Sequence, residues 1–239
     1  MKFNKKILNG KVLSGRVYPE FFSINNNERV LNIGCGDGPQ AVVYAGRYRE
    51  MVGVDINCLR LESSKKLIED LGIKNYSTIC ANVELIPLPD KSFDKAIAID
   101  IIEHVNNPEK FCHEAFRLIK DGGKLLVTFP AMHDNYTRFF SLVGKYVLRR
   151  KHQDKIDSNW DPDKHNHDYS VKKWIELVSG CGFKLEKSRA TTMFPPLHLY
   201  GVPKFWFSNE IVHFLDSLIC RLPLVKNYGQ SLVCVFQKK

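Results

Sequence analysis

The chain has no pair of cysteines at the spacing that metal sites and redox motifs need, and no apolar run as long as a membrane span. Its seven cysteines, Cys35, Cys58, Cys80, Cys112, Cys181, Cys220 and Cys234, are scattered without a C-x-x-C pair, which sets aside zinc-site and redox-pair readings. They are expected to be mostly buried thiols in a reducing compartment. No uninterrupted apolar stretch approaches the roughly 18 to 20 residues of a bilayer-spanning helix. The basic start MKFNKKILNGK lacks the apolar centre of a secretory signal, so the expected location is cytoplasmic. No repeat or low-complexity tract is present.

What is present is 239 residues, 44% of them hydrophobic, enough to bury one substantial core in one elaborated domain. Short β-branched runs predict seven strands at Arg29–Ile33, Met51–Asp55, Tyr76–Cys80, Asp94–Ile99, Gly123–Phe129, Phe183–Arg189 and Ser231–Gln237. Helix-period stretches fall between them at Pro39–Tyr48, Cys58–Leu71, Pro108–Lys120 and Val171–Ser179. This alternation predicts an α/β fold whose mostly parallel sheet is covered on both faces. Asn107 before Pro108, and Ser170 before the last helix, carry the side chains that cap a first turn. Three segments stand outside the rhythm. Residues 1–28 are expected to form an N-terminal cap with Phe21 and Phe22 against the body, and residues 29–239 the domain itself. Within that domain the insert 131–169 and the aromatic-rich segment 191–230 have the length of lids or binding elements.

The segment VLNIGCGDGP, residues 30–39, runs from a buried strand through Gly34, Gly36 and Gly38 into a helix. Glycines there let the backbone turn sharply and come close to a ligand at the carboxyl end of the first strand. A dinucleotide-binding loop would want its third glycine at position 39, where its helix-terminal N–H groups face a pyrophosphate. Pro39 stands there instead and removes a donor, which matters less for a ligand without phosphate. Asp55 ends the second strand in VVGVDIN, where a carboxylate can accept both ribose hydroxyl protons.

From Val30 to about His133 the chain resembles the class I S-adenosylmethionine-dependent methyltransferase family, particularly its small-molecule branch of quinone, sterol, lipid and sugar methylating enzymes. The blocks that carry the resemblance are VLNIGCGDG, GVDIN, NVELIPLPDKSFDKAIAIDIIEHV and FRLIKDGGKLLVTFP, followed farther on by HNHDYSVKKWIELVSGCGF. The resemblance implies a Rossmann-like, doubly wound sheet of seven strands, the last antiparallel, and S-adenosylmethionine as cofactor. It implies that Gly34, Cys35 and Gly36 line the methionine moiety, Asp55 holds the ribose and Ile56 packs on the adenine. Asn82 and the Val83 N–H would face the adenine edge, and Asp100 would border the methionine ammonium group. Asn32 and Asn82 stand where the family usually has acids; an amide oxygen still accepts a hydrogen bond but does not offset the cofactor's positive charge.

Methyl transfer needs alignment of nucleophile, methyl carbon and sulfur, and a hydroxyl or acidic-carbon acceptor also needs a base. His104 is the first candidate, with Glu103 beside it, and His165 in KHNHDY is the histidine that matches the family's own. His165, His167 and Asp168 have metal-ligand chemistry, but short His-x-His runs are usually surface loops and no metal is expected. His133 and Asp134 are read with the same caution. In the insert, Phe139, Leu142, Val143, Tyr146 and Val147 share one helical face before a basic cluster, the composition of a peripheral membrane contact or a cover for a lipid-like acceptor. The same stripe could also pack on the domain.

The net charge of +9 is uneven: residues 1–120 carry 17 basic and 15 acidic side chains, and residues 121–239 carry 18 and 11. That surplus suits an anionic partner or a merely solvated face. An RNA or DNA methyltransferase would draw on it, yet strand four is followed by DIIEHV and not by an Asn/Asp-Pro-Pro-aromatic motif, and no Pro-Cys nucleophile is present. A non-catalytic adenosylmethionine-binding module and a nicotinamide oxidoreductase are the remaining alternatives, the latter opposed by Pro39.

Overall fold

The computed structural model describes residues 21–130, 165–191 and 231–239, together with Pro19 and residues 218–219. Seven strands, β1 (Arg29–Ile33), β2 (Glu50–Asp55), β3 (Tyr76–Cys80), β4 (Phe93–Ala98), β5 (Ile119–Pro130), β6 (Phe183–Ala190) and β7 (Ser231–Lys238), form one sheet in the order β3-β2-β1-β4-β5-β7-β6. β1 to β5 are parallel, while β7 enters antiparallel to both β5 and β6. The chain runs outward in one direction from β1 to β3 and in the other from β4, so the carboxyl ends of β1 and β4 part at the centre. Open α/β sheets bind their ligands at such a reversal.

Among the described residues four helices, α1 (Pro39–Val43), α2 (Cys58–Asp70), α3 (Pro108–Leu118) and α4 (Val171–Gly180), cover the sheet. Phe111, Cys112, Ala115 and Leu118 of α3, with Trp174 and Val178 of α4, pack on one face, where the Phe129 and Trp174 rings stack 5.7 Å apart. Ala41, Val42 and Ile68, joined by Phe22, pack on the other. β1 and β4 are therefore buried on both sides, which explains their unbroken apolar runs. The caps work as the sequence predicts: the Lys110 N–H donates to the Asn107 side chain at 3.0 Å and the Lys173 N–H to Ser170 at 3.3 Å. Buried Lys238 donates to the carbonyls of Phe116 and Ile119 at 2.7 and 2.8 Å, satisfying acceptors that the end of α3 leaves over.

Two expectations are corrected. The helix predicted for Pro39–Tyr48 stops at Val43, because the chain turns through Gly46 in the left-handed region and the Tyr44 hydroxyl is drawn to the Phe22 carbonyl at 2.9 Å. The cysteines are not all thiols: Cys58 and Cys80 form a disulfide across a Cα separation of 5.3 Å. They lie 22 residues apart, and only the α2–β3 unit brings them together. Cys35, Cys112 and Cys234 are buried thiols, and Cys181 is half-buried. The stripe Phe139 to Val147, His133, Asp134 and nearly all of 191–230 lie outside the described residues. Among the described residues no helix is long and apolar enough to cross a membrane.

Candidate active site

At the parting of β1 and β4 the loops after β1, β2, β3 and β4 enclose one crevice. Gly34, Asp55 and Ile56 line one side, Asn82, Val83 and Glu84 the floor, and Ile101 with His104, Val105 and Asn106 the other side.

The glycine bend is fastened to β2 by backbone bonds. Gly34 and Cys35 both donate to the Val54 carbonyl, at 2.7 and 3.0 Å, and Gly36 donates to the Asp55 carboxylate at 2.8 Å. Gly34 has φ +69°, and a Cβ there would fall 2.7 Å from the Ile101 side chain. Only glycine combines that backbone with so close an approach between the two walls. Cys35 does not line the crevice; its Sγ lies toward Gly53, and burial pushes its thiol up to about 12.

Asp55 is buried at the end of β2, with one carboxylate oxygen accepting from Gly36 and the other from the Asn57 N–H at 2.9 Å. A carboxylate offers about four lone-pair sites, so each oxygen retains capacity toward the crevice. Next to it Ile56 is 71% exposed, an apolar side chain held at the mouth with no core to bury it. The Cys58–Cys80 bridge ties the chain on both sides of this shelf. On the floor, the Asn82 side-chain oxygen accepts from the Glu84 N–H at 2.9 Å, making a local turn.

The opposite wall is assembled from distant segments. Asp100, at φ +51°, is held by Thr128, whose hydroxyl accepts its N–H at 2.8 Å and donates back to its carboxylate at 2.9 Å. The Glu84 carboxylate accepts the N–H groups of Asn106 and Asn107 at 2.7 and 3.1 Å. Residues 165–168 lie across this turn. The N–H groups of Asn166 and His167 both donate to the Glu103 carbonyl, and the Asn166 side chain donates to the His104 carbonyl at 2.6 Å. His167 Nε2 sits 3.1 Å from the carbonyls of Val105 and Asn106. This stitching sets His165 edge-on to His104, with ring centroids 5.1 Å apart, and leaves Glu103 buried beside them, 4.0 Å from His104 Nε2.

Of the residues expected at the cofactor, Gly34, Asp55, Ile56, Asn82 and Val83 line the crevice. Gly36 braces Asp55 from behind. Asn32 is placed elsewhere: it is buried in the core and donates to the Gln40 side chain at 3.3 Å, beneath the loop. Cys35 and Asp100 do not line the crevice either. His104 does, and His165 stands behind it, edge-on to its ring. Sequence reasoning missed Glu84 and Ile101 as wall residues and the role of His167 as a clamp. Glu84 had a readable signal, since it follows Asn82 in a family block, but the donors it serves are 22 and 23 residues away.

A family model described as a methyltransferase domain matches residues 31–127, the stretch that supplies all the crevice loops. The chain is 28% identical over 173 residues to a demethylmenaquinone methyltransferase of Tropheryma whipplei (strain Twist), covering 69% of this chain and 70% of the relative. It is 28% identical over 193 residues to a ubiquinone biosynthesis O-methyltransferase of Azoarcus sp. (strain BH72), covering 78% and 77%. In fold it is similar to the [4+2]-cyclase SpnF, with TM-score 0.65, 15% identity and coverage of 100% of this chain and 83% of the other. That likeness concerns the fold alone, and SpnF is named a cyclase; the fold therefore does not by itself name the reaction.

Proposed function

Because the chain belongs to the class I S-adenosylmethionine-dependent methyltransferase family and is an enzyme of that kind, we propose that its crevice holds the adenosyl group and that a small-molecule acceptor meets it from the β4 side. The observation that carries this reading is the pairing of Asp55 and Ile56: a carboxylate with free lone pairs and an exposed apolar shelf, adjacent in the chain and facing one crevice. A ribose and a flat ring have the shape and polarity to meet that pair, and the Pro39 start of α1 offers poor purchase to a pyrophosphate.

When bound, the cofactor supplies a methyl group on a positively charged sulfur: the acceptor–methyl bond forms as the sulfur–methyl bond breaks, and the electron pair stays on a neutral thioether. Asp55 holds the ribose hydroxyls, Ile56 packs on the adenine and the Val83 N–H meets its edge. Gly34 lets the backbone approach the methionine part, while Ile101 and Val105 keep water from the opposite side. Asn32, turned toward Gln40, is assigned the support of α1 and not cofactor contact. In this reading the cluster of His104, His165 and Glu103 serves the acceptor as it loses its proton, a role that their mutual approach supports.

The acceptor we propose is a bulky, amphipathic molecule of the quinone, lipid or sugar-like kind, met in the cytoplasm. The quinone-pathway names of two relatives and the apolar, aromatic composition of residues 131–169 and 191–230 support it. Calorimetry with S-adenosylhomocysteine, followed by methyl transfer from labelled cofactor to hydroxylated quinones, phenols and transfer RNA, tests the proposal. Saturable one-site binding with label on a small molecule is the expected result. Label on the RNA, with affinity falling steeply as salt rises, would move the function to nucleic acid; no cofactor binding by the folded protein would leave only a non-catalytic module.

A further inference from the structure

We infer that Glu103, His104 and His165 form a binding site for one divalent transition-metal cation, which activates a hydroxyl of the acceptor. The inference rests on the methyl-transfer reading of the crevice and adds how the acceptor is made nucleophilic.

Glu103 and His104 are chain neighbours whose side chains would point apart in a strand. The turn after β4, closed by the His104 N–H donating to the Ile101 carbonyl at 2.9 Å, brings their tips together. The bonds from Asn166 and His167 to the same turn then deliver His165, 61 residues along the chain from His104. One ligand atom from each of the three lies within 4.8 Å of the other two. Three ligands about 2.1 Å from one cation stand about 3.4 Å apart in tetrahedral geometry, so side-chain adjustments of up to about 1.4 Å close the set. Two imidazole nitrogens and one carboxylate oxygen suit manganese, iron, cobalt or zinc, and three protein ligands leave coordination positions open.

Glu103 is 3% exposed, so a cation bound there is shielded from solvent on the protein side, while His104 lines the crevice and turns the open positions toward it. An acceptor hydroxyl oxygen that donates a lone pair to the cation becomes more acidic, as metal-bound water does. Its proton leaves to water, and the resulting oxyanion attacks the methyl carbon while sulfur departs with the bonding pair. His167 is not a ligand, since its Nε2 faces two backbone carbonyls; it positions the loop that carries His165.

Tag-free protein stripped with chelator is titrated with Mn²⁺, and the free ion is followed by its paramagnetic resonance signal. One ion per chain is expected, with affinity at least about tenfold weaker in His165→Ala and in Glu103→Gln. Because His165 is half-buried, His165→Ala keeps the test alive should the buried Glu103→Gln variant misfold. S-adenosylhomocysteine should bind wild type and His165→Ala alike. If Mn²⁺, Co²⁺ and Zn²⁺ bind wild type no more tightly than His165→Ala while S-adenosylhomocysteine still binds, the cation site is wrong and the methyl-transfer reading stands. If the cation binds in the expected way and S-adenosylhomocysteine does not, the cation site holds and the cofactor reading fails.

Discussion

The two sides of the crevice are built on opposite plans. The side after β1 and β2 is local: glycines, one carboxylate and backbone bonds, each formed between segments joined by a single strand-helix-strand unit. The side after β4 is assembled at long range, from Glu84 reaching Asn106 and from Asn166 and His167 clamping residues 103–106 across roughly 60 residues of chain. A common cofactor can be held by a fixed local frame, whereas an acceptor side made of separately placed segments can change without disturbing that frame. Affinity for the cofactor therefore belongs to the first side and rate to the second.

The comparison breaks most visibly at His104. His104→Ala should lower turnover by about a hundredfold or more and leave the S-adenosylhomocysteine dissociation constant within about twofold, because that side chain belongs to the far wall. Equal turnover would take His104 out of the mechanism. Asp55→Ala should do the reverse. It removes charged hydrogen bonds worth about 1.5 to 3 kcal/mol each, including the brace on Gly36, and should weaken S-adenosylhomocysteine about thirtyfold or more in calorimetry.

Glu114 separates stability from both. It accepts the Ile86 N–H at 2.6 Å and the Arg117 guanidinium at 2.7 and 2.9 Å, pinning the chain that continues from the crevice floor. Burial alone would raise its pKa, but Arg117 and the Ile86 N–H outweigh burial and hold the carboxyl below its ordinary 4.5. A depressed folded value means that the stabilisation is fully present above pH 4.5 and is lost as the pH falls through the lower folded value. Glu114→Ala should cost about 3 kcal/mol at neutral pH. In a chain of this size that is a fall of about 6 to 12 °C in the thermal midpoint. Glu114→Gln should also flatten the acid limb of the stability profile; an unchanged acid limb would remove the carboxylate from that role. The smallest expected effect is at Ile56. Ile56→Ala should weaken S-adenosylhomocysteine about fivefold, for about 1 kcal/mol of lost apolar contact, without moving the thermal midpoint of the free protein, since the side chain is already exposed.

The same contrast explains what could be read from the sequence. All seven strands were legible within a few residues, because the β-branched runs that bury two faces also stand between clear helix signals such as Asn107-Pro108 and Ser170. Gly34, Asp55 and Ile56 were legible as residues of the crevice because they stand at two strand ends. Asn32 was misplaced because the strand's position two residues before Gly34 says nothing of which way its amide turns, and Gln40 captures it from α1. The Cys58–Cys80 bridge, the clamp by His167 and the meeting of Glu103, His104 and His165 depend on tertiary approach, which no spacing rule encodes. The HNHD run looked like a surface loop when read alone; against the turn after β4 its two histidines take different tasks.

The most direct test is a crystal structure with S-adenosylhomocysteine. The ribose hydroxyls should lie within about 3 Å of the Asp55 carboxylate, with the adenine on Ile56 and the sulfur facing the wall that carries His104. A crevice filled by the protein's own side chains, or a ribose bound away from Asp55, would contradict this placement.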